Sequence, residues 1–310
     1  MLEMIFLDPL FAIEVVVSGL LSGIMYSLVA LGFALIFKAS GIFNFAQGAF
    51  VLFAALTLVS LIDGAVFGLK MPLLVAAAVT LVVMVVYGMA VERLVLRPLI
   101  NQSLIILFMA TIGLNFFTEG FAQMIWGSQA MRLDLGIPEK PWEELRLATG
   151  ISLSVFELVA AGIAGALVLG LSLFFSRTKT GRALRAVSDD NQAAMSVGIP
   201  LQHIWAVVWA VAGIIALVAG MLWGAKLGVQ FSLSLLALKA LPVLIIGGFD
   251  SIVGVIVAGL IVGASEKFAE VFVGPYFGGA IENWFPYVLA TFVLLIKPQG
   301  LFGEKIIDRV

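Results

Sequence analysis

The chain has 310 residues, 62% of them hydrophobic and 12% charged, with a net charge of −2 and a mean hydropathy of +1.17. Soluble domains average roughly 45–50% apolar and about 25% charged residues, so this composition excludes a water-soluble fold and points to an all-α polytopic membrane protein. The near-neutral charge offers no footprint for nucleic acid; the absence of cysteine excludes disulfides and thiolate metal sites, and a single histidine, His203, argues against a histidine-built one.

The first eleven residues, MLEMIFLDPLF, carry Glu3 and Asp8, and no Lys or Arg precedes Lys38. A signal peptide opens on a basic region, so no cleaved signal is expected and the N-terminus is read as lying on the outer face. A spanning helix needs about 20 apolar residues. Blocks of this kind lie at 13–37, 42–62, 72–91, 104–126, 151–175, 203–224 and 252–273, with shorter ones at 233–246 and 285–296. The expectation is eight to nine membrane segments, including short or re-entrant ones.

Arg93 and Arg97, the cluster Arg177, Lys179, Arg182 and Arg185, and the terminal Lys297, Lys305 and Arg309 are the basic groups. The positive-inside rule assigns all three to the cytoplasm. The acidic loop 127–150, with Asp134, Glu139, Glu143 and Glu144, then faces outward.

The polar run 176–200 reads as a helix with marked ends. Thr180 is the expected N-cap, and Gly198 followed by Pro200 is a stop signal. Ser188, Asp189 and Asp190 supply cap chemistry in the middle, so one helix or two short ones fit equally. A semi-apolar cytoplasmic helix of this kind docks a soluble partner, or it is a solvated loop between helices.

Several polar groups fall inside the apolar blocks. Asn44 and Gln47 are three apart and are expected to share a helix face, either lining a pathway or hydrogen-bonding between helices. Lys239 is costly at membrane depth without a partner or water; either its short block spans and an ion pair with Glu266 is expected, or the block is an interfacial or re-entrant piece and the Lys reaches water. Glu119 and Glu157 lie nearer the outer ends of their blocks. Gly19/Gly23, Gly220/Gly224 and Gly259/Gly263 are GxxxG pairs that allow close backbone approach, with no partner face assigned. Gly247, Gly248, Asp250 and Ser251 read as a tight connection, with Asp250 or Ser251 capping the following helix. No GxxxxGK[ST] phosphate loop occurs, so any energy for transport comes from elsewhere.

Several of these stretches resemble the LivH-type permeases of bacterial branched-chain amino-acid ABC importers. The likeness runs through Tyr26-Ser27-Leu28 and Phe43-Asn44-Phe45-Ala46-Gln47-Gly48. It continues in the TxxGRAxRA…A…GI pattern at Thr178, Gly181, Arg182, Ala183, Arg185, Ala186, Ala194, Gly198 and Ile199. Lys239, Ala240, Gly247, Gly248, Ser251, Gly254, Gly259, Gly263 and Glu266 match a third block, and Lys297-Pro298-Gln299-Gly300-Leu301-Phe302-Gly303 matches the tail. Gln47, where His is common, and Phe249-Asp250 depart from the pattern and fit a subfamily with another solute, such as urea or a short amide.

The resemblance implies one transmembrane permease domain over 1–310, of the type II ABC importer kind, in the bacterial cytoplasmic (inner) membrane. It implies a LivM-type second permease or a second copy as partner, two ATP-binding cassette subunits, and a periplasmic solute-binding protein. ATP is used by those partner subunits, no cofactor is bound by this chain, and the chain is not itself an enzyme. The run 176–200 becomes the segment coupled to the ATPase, through Thr180, Gly181, Arg182, Arg185, Asp189, Asn191 and Gly198. Asn44, Gln47, Lys239 and Glu266 become candidates for the pathway or its packing. The rivals are a stand-alone secondary transporter or channel, for which no acidic constellation stands at the midplane, and a membrane enzyme, for which one His and no Cys provide no reactive cluster.

Overall fold

A computed structural model describes residues 9–64, 66, 68–100 and 102–303, without the side chains of Asn191 and Gln192. Glu3, Asp8, Lys305 and Arg309 lie outside the described residues. The helices in chain order are α1 (Pro9–Ser40), α2 (Gln47–Asp63), α3 (Leu73–Val91), α4 (Leu104–Trp126), α5 (Glu143–Thr149), α6 (Val155–Arg177), α7 (Lys179–Asp189), α8 (Asn191–Ser196), α9 (Leu201–Leu227), α10 (Leu236–Gly247), α11 (Ile252–Phe272), α12 (Gly274–Phe277) and α13 (Phe285–Ile296). A π-helical turn, Glu92–Leu96, and a 3-10 turn, Arg97–Leu99, extend α3, and a 3-10 turn at Phe231–Leu235 leads into α10.

Six of these are long and apolar enough to cross a bilayer: α1, α3 with its extension, α4, α6, α9 and α11. Three are shorter apolar helices: α2, α10 with its lead-in turn, and α13. Every apolar block of the sequence forms one of them, as befits a multi-pass membrane protein in which each backbone polar group must be satisfied within its own helix.

The chain divides into two compact units. One comprises the described parts of Met1–Ala30, Gly136–Leu169 and Lys239–Val310; the other comprises Leu31–Leu135 and Gly170–Leu238. They are called the outer-segment unit and the central-segment unit below, for their order in the chain.

In the central-segment unit, α2 is the buried helix: its residues from Gln47 to Leu61 are all buried. Its sequence is apolar on every side, which suits a helix enclosed by protein rather than one with a single apolar stripe. At 17 residues it is about 25 Å long, short of the roughly 30 Å hydrocarbon thickness. Protein contacts on all sides relieve it of matching lipid. Thr57 and Ser60 keep their hydroxyls off the apolar walls by donating to the carbonyls of Phe53 and Thr57.

Glycines set the close contacts of this unit. A β-carbon at Gly220 of α9 would stand 2.5 Å from the Val51 carbonyl oxygen of α2. One at Gly88 or Gly213 would overlap the carbonyl of Trp209 or Met84, so α3 and α9 meet backbone to backbone. The Trp205 indole donates to the Ala39 carbonyl at 3.1 Å and ties the start of α9 to the end of α1.

In the outer-segment unit, the two remaining GxxxG pairs find each other. Gly19 and Gly23 of α1 face Gly263 and Gly259 of α11, and a β-carbon at Gly19 would lie 2.6 Å from the Gly263 carbonyl oxygen. The Ser27 hydroxyl completes this seam by lying against Val255 O at 3.3 Å. Gly248 turns the chain between α10 and α11 at φ 100°, which favours glycine. Ser251, not Asp250, caps α11, accepting from the Gly254 N–H at 3.0 Å. The tail then docks on this connection: Leu301 N–H donates to Ile246 O at 2.7 Å and Phe302 N–H to Gly247 O at 3.2 Å. The sequence shows the Gly-Gly turn and the Pro-Gln-Gly tail as separate motifs; here they form one structure.

Candidate functional site

A charged cluster stands in the outer-segment unit. Glu266 lies on α11 at the i+3 position from Gly263 and i+7 from Gly259, so the spacing that makes the glycine seam puts it on the same face. It is 3% exposed. The Tyr26 hydroxyl of α1 donates to its Oε1 at 3.2 Å. Lys239 of α10 brings its Nζ to 3.9 Å from the same oxygen and to 3.6 Å from Oε1 of Glu282. The expected Lys239–Glu266 pair therefore forms, and Glu282, which the sequence reading passed over, joins it. The Lys239 side chain is 32% exposed and that of Glu282 36%, against 4% for Glu266.

The turn that carries Glu282 runs through left-handed backbone and is strained at one residue, Ala280. Gly278, Gly279 and Ala280 all adopt left-handed backbone, at φ 82°, 83° and 59°. Ala280 is the only non-glycine residue there among those described, a conformation an L side chain disfavours. Glu270 braces the turn by accepting the N–H groups of Ala280 and Glu282, each at 2.9 Å.

Asn44 and Gln47 belong to the central-segment unit and are wholly buried. They do not share a helix face as expected. Gly41, at φ 67°, ends the run of α1, and Asn44 sits in the turn before α2, where its Oδ1 accepts from the Ala46 N–H at 3.1 Å. A short amide that satisfies the backbone two residues on competes with helix at this position. The two amides still meet, Asn44 Nδ2 donating to Gln47 Oε1 at 3.3 Å. Gly32 of α1 makes the room: a β-carbon there would overlap the Gln47 amide. Gln47 Nε2 has no hydrogen-bond partner among the described residues. Thr111 of α4 supplies the turn's other polar contact, accepting from the Phe45 N–H at 3.2 Å and lying 3.1 Å from the Phe43 carbonyl.

The run 176–200 folds as two short helices. The N-cap of α7 is Thr178 rather than Thr180: Thr178 has extended backbone and accepts from the Gly181 N–H at 3.2 Å, while Thr180 lies within the helix. Asp190 is extended, separates α7 from α8, and accepts from the Ala193 N–H at 3.0 Å. Gly181, Leu184 and Val187 are buried, whereas Arg182, Arg185 and Asp189 are exposed. Positions 182, 185 and 189 recur at helical spacing, so they form one charged face. Gly181 is required where α7 folds back on α6, since a β-carbon would overlap the Phe175 carbonyl. On α8 and just after it, Met195 and Val197 are 48% and 76% exposed. Gly198 turns the chain at φ 86°. Asn191 begins α8, and its side chain lies outside the described set.

One further pair escaped the sequence reading, which took Arg93 and Arg97 only as a basic group marking the cytoplasmic side. Glu92 is fully buried in the π-helical turn and Arg97 clasps it with two hydrogen bonds, at 3.0 and 2.8 Å. The five-residue spacing fits a π-turn and not an α-turn, so no α-helical i,i+4 search finds it. Glu157 and Glu119 are also held: Ser18 donates to Glu157 at 2.9 Å and Asn115 to Glu119 at 3.3 Å. Among the described residues no group of His, Asp and Glu is arranged to hold a metal ion.

Residues 15–297 match the family described as branched-chain amino acid transport system / permease component. The chain is 27% identical to the high-affinity branched-chain amino acid transport system permease protein BraD of Pseudomonas aeruginosa, over 96% of this chain and 98% of that one. It is 26% identical to the corresponding permease protein LivH of Escherichia coli, over 97% and 98%. Among solved structures, PsaBC from Streptococcus pneumoniae in complex with Fab is similar at a TM-score of 0.44 and 15% identity, covering 90% of this chain and 89% of that one.

Proposed function

We propose, from the premise that this chain belongs to the family of branched-chain amino acid transport permease components, that it is half of the translocation pathway of an ATP-driven importer for branched-chain or related amino acids. In this reading it lies in the bacterial inner membrane through eight to nine segments, short or re-entrant ones included. A second permease, or a second copy, completes the pathway, and two ATPase subunits and a periplasmic solute-binding protein complete the machine. The chain performs no covalent chemistry; ATP is bound and hydrolysed by its partners.

The observation that carries the proposal is the form of 176–200. A helix that buries Gly181, Leu184 and Val187 while presenting Arg182, Arg185 and Asp189, followed by exposed Met195 and Val197, has the two elements of helix-in-groove recognition: apolar anchors and a charged rim. Basic residues put this segment on the cytoplasmic face, where an ATPase would seat it. Nucleotide-driven movement of that seat would pull on α6 and α9, the helices that flank the segment in the chain. Loop 127–150, on the opposite side by the same rule, is the place for the solute-binding protein to dock.

The test is co-purification. Arg182→Glu and Arg185→Glu should each reduce capture of the ATPase subunits by about tenfold, on the scale of a lost charge contact at an interface, with the thermal stability of the permease unchanged. ATPase capture at the wild-type level in the double variant would remove the coupling assignment.

A further inference from the structure

We propose that Lys239 and Glu282 form a transit site for a zwitterionic solute, the ammonium of Lys239 receiving the solute carboxylate and the carboxylate of Glu282 its amino group. The inference rests on the importer reading above and adds the residues that recognise the solute's charged main chain.

Three features separate this cluster from a structural ion pair. The Lys239 ammonium stands 3.6 and 3.9 Å from its two carboxylate oxygens, both beyond hydrogen-bonding reach. A pair retained to hold helices together closes to contact distance, because only then does attraction offset the loss of hydration. Second, Lys239 and Glu282 each expose about a third of the side chain, at 32% and 36%, so this chain encloses neither charge. Third, the turn through Gly278, Gly279 and Ala280, strained at Ala280 and braced by Glu270, has the effect of presenting Glu282 to Lys239. Backbone strain of this kind persists where a particular presentation is needed.

Glu266 plays a different part. Buried and held by the Tyr26 hydroxyl, it stands behind Lys239 as a counter-charge and does not touch the solute. An amino acid crossing an apolar protein must shed water from two opposite charges, and each is costly without a counter-charge. Lys239 and Glu282 offer both counter-charges at one place, and their loose spacing keeps the hold weak enough for release, as a conducting site requires. A neutral amide or urea lacks the charges to exploit them, so the site favours amino acids over amides.

The experiment uses the whole importer, reconstituted with its ATPases and binding protein in proteoliposomes, with radiolabelled leucine as probe and uptake normalised to assembled complex. Glu282→Gln, which leaves the Lys239–Glu266 pair in place, should lower ATP-dependent leucine uptake about tenfold or more, the scale of one lost charge contact. Uptake within about twofold of wild type overturns the proposal. The double exchange Lys239→Glu with Glu266→Lys keeps an ion pair but inverts the charge offered to the solute. Leucine uptake that stays low in this variant supports the proposal, and recovery to the wild-type level overturns it by showing that pairing alone suffices. Should the exchange fail to assemble, Glu282→Gln decides by itself. Wild-type vesicles that take up no leucine with ATP would instead overturn the importer reading, and this outcome is seen before any variant is made.

Discussion

Asn44–Gln47 and Lys239–Glu266 are both polar pairs inside apolar blocks, yet the two are housed in opposite ways. The amides are wholly buried: Asn44 serves the turn ahead of α2, and Gln47 fills the space left by Gly32. The charged cluster keeps Glu266 buried and leaves its other members partly uncovered by this chain, with Lys239 and Glu282 each about a third exposed. The difference follows from charge. A buried amide that leaves its NH2 group unpaired, as Gln47 does among the described residues, costs far less than a buried ammonium, which loses far more hydration than one neighbour restores. In the reading proposed above, Asn44 and Gln47 serve packing, and Lys239 with Glu282 is the place where a solute is met.

The largest effect expected from testing this contrast lies at the seam that sets Glu266 on its face. Gly259→Leu drives a side chain into the α1 backbone, a cost of about 3 kcal/mol or more. Folded, monodisperse protein should be lost after extraction from the membrane. Recovery at the wild-type level would mean that α1 and α11 tolerate separation.

Next in size is accessibility. The chain has no cysteine, so an introduced thiol reports its own surroundings. Lys239→Cys should react with a small water-soluble thiol reagent in the assembled importer, and Gln47→Cys should not. Equal labelling of both would erase the distinction drawn here.

A smaller effect separates the two amides from each other. Asn44→Leu strips the Ala46 N–H and the Gln47 amide of their partner and should lower stability by about 1–3 kcal/mol, read as a fall in melting temperature. Gln47→Leu should cost less, since Gln47 Nε2 already lacks a partner among the described residues. In both variants uptake per folded molecule should stay close to wild type; loss of uptake without loss of stability would return these residues to the pathway.

Much of the architecture was legible before folding. Apolar length alone located the six helices long enough to cross a bilayer and the three shorter apolar ones, because lipid demands a long apolar run and tolerates little else. The two-helix form of 176–200 was one of two readings that its central Ser-Asp-Asp cap signal allowed. The cap itself was misplaced by two residues: Thr178 and Thr180 are the same residue type, and only the extended backbone at Thr178 distinguishes them. The buried Glu92–Arg97 clasp was hidden by its π-helical spacing.

Composition and apolar length thus sufficed to establish a polytopic helical protein and the approximate place of its apolar helices, since each is a property of the local chain against lipid and water; the family resemblance lay in local motifs. Which glycine faces which, that the tail seals the Gly247–Gly248 turn, and that Tyr26, Lys239, Glu266 and Glu282 converge were settled only by packing. Those contacts join residues as far as 240 positions apart, and their partners are chosen by the shape of neighbouring helices, which no local stretch encodes.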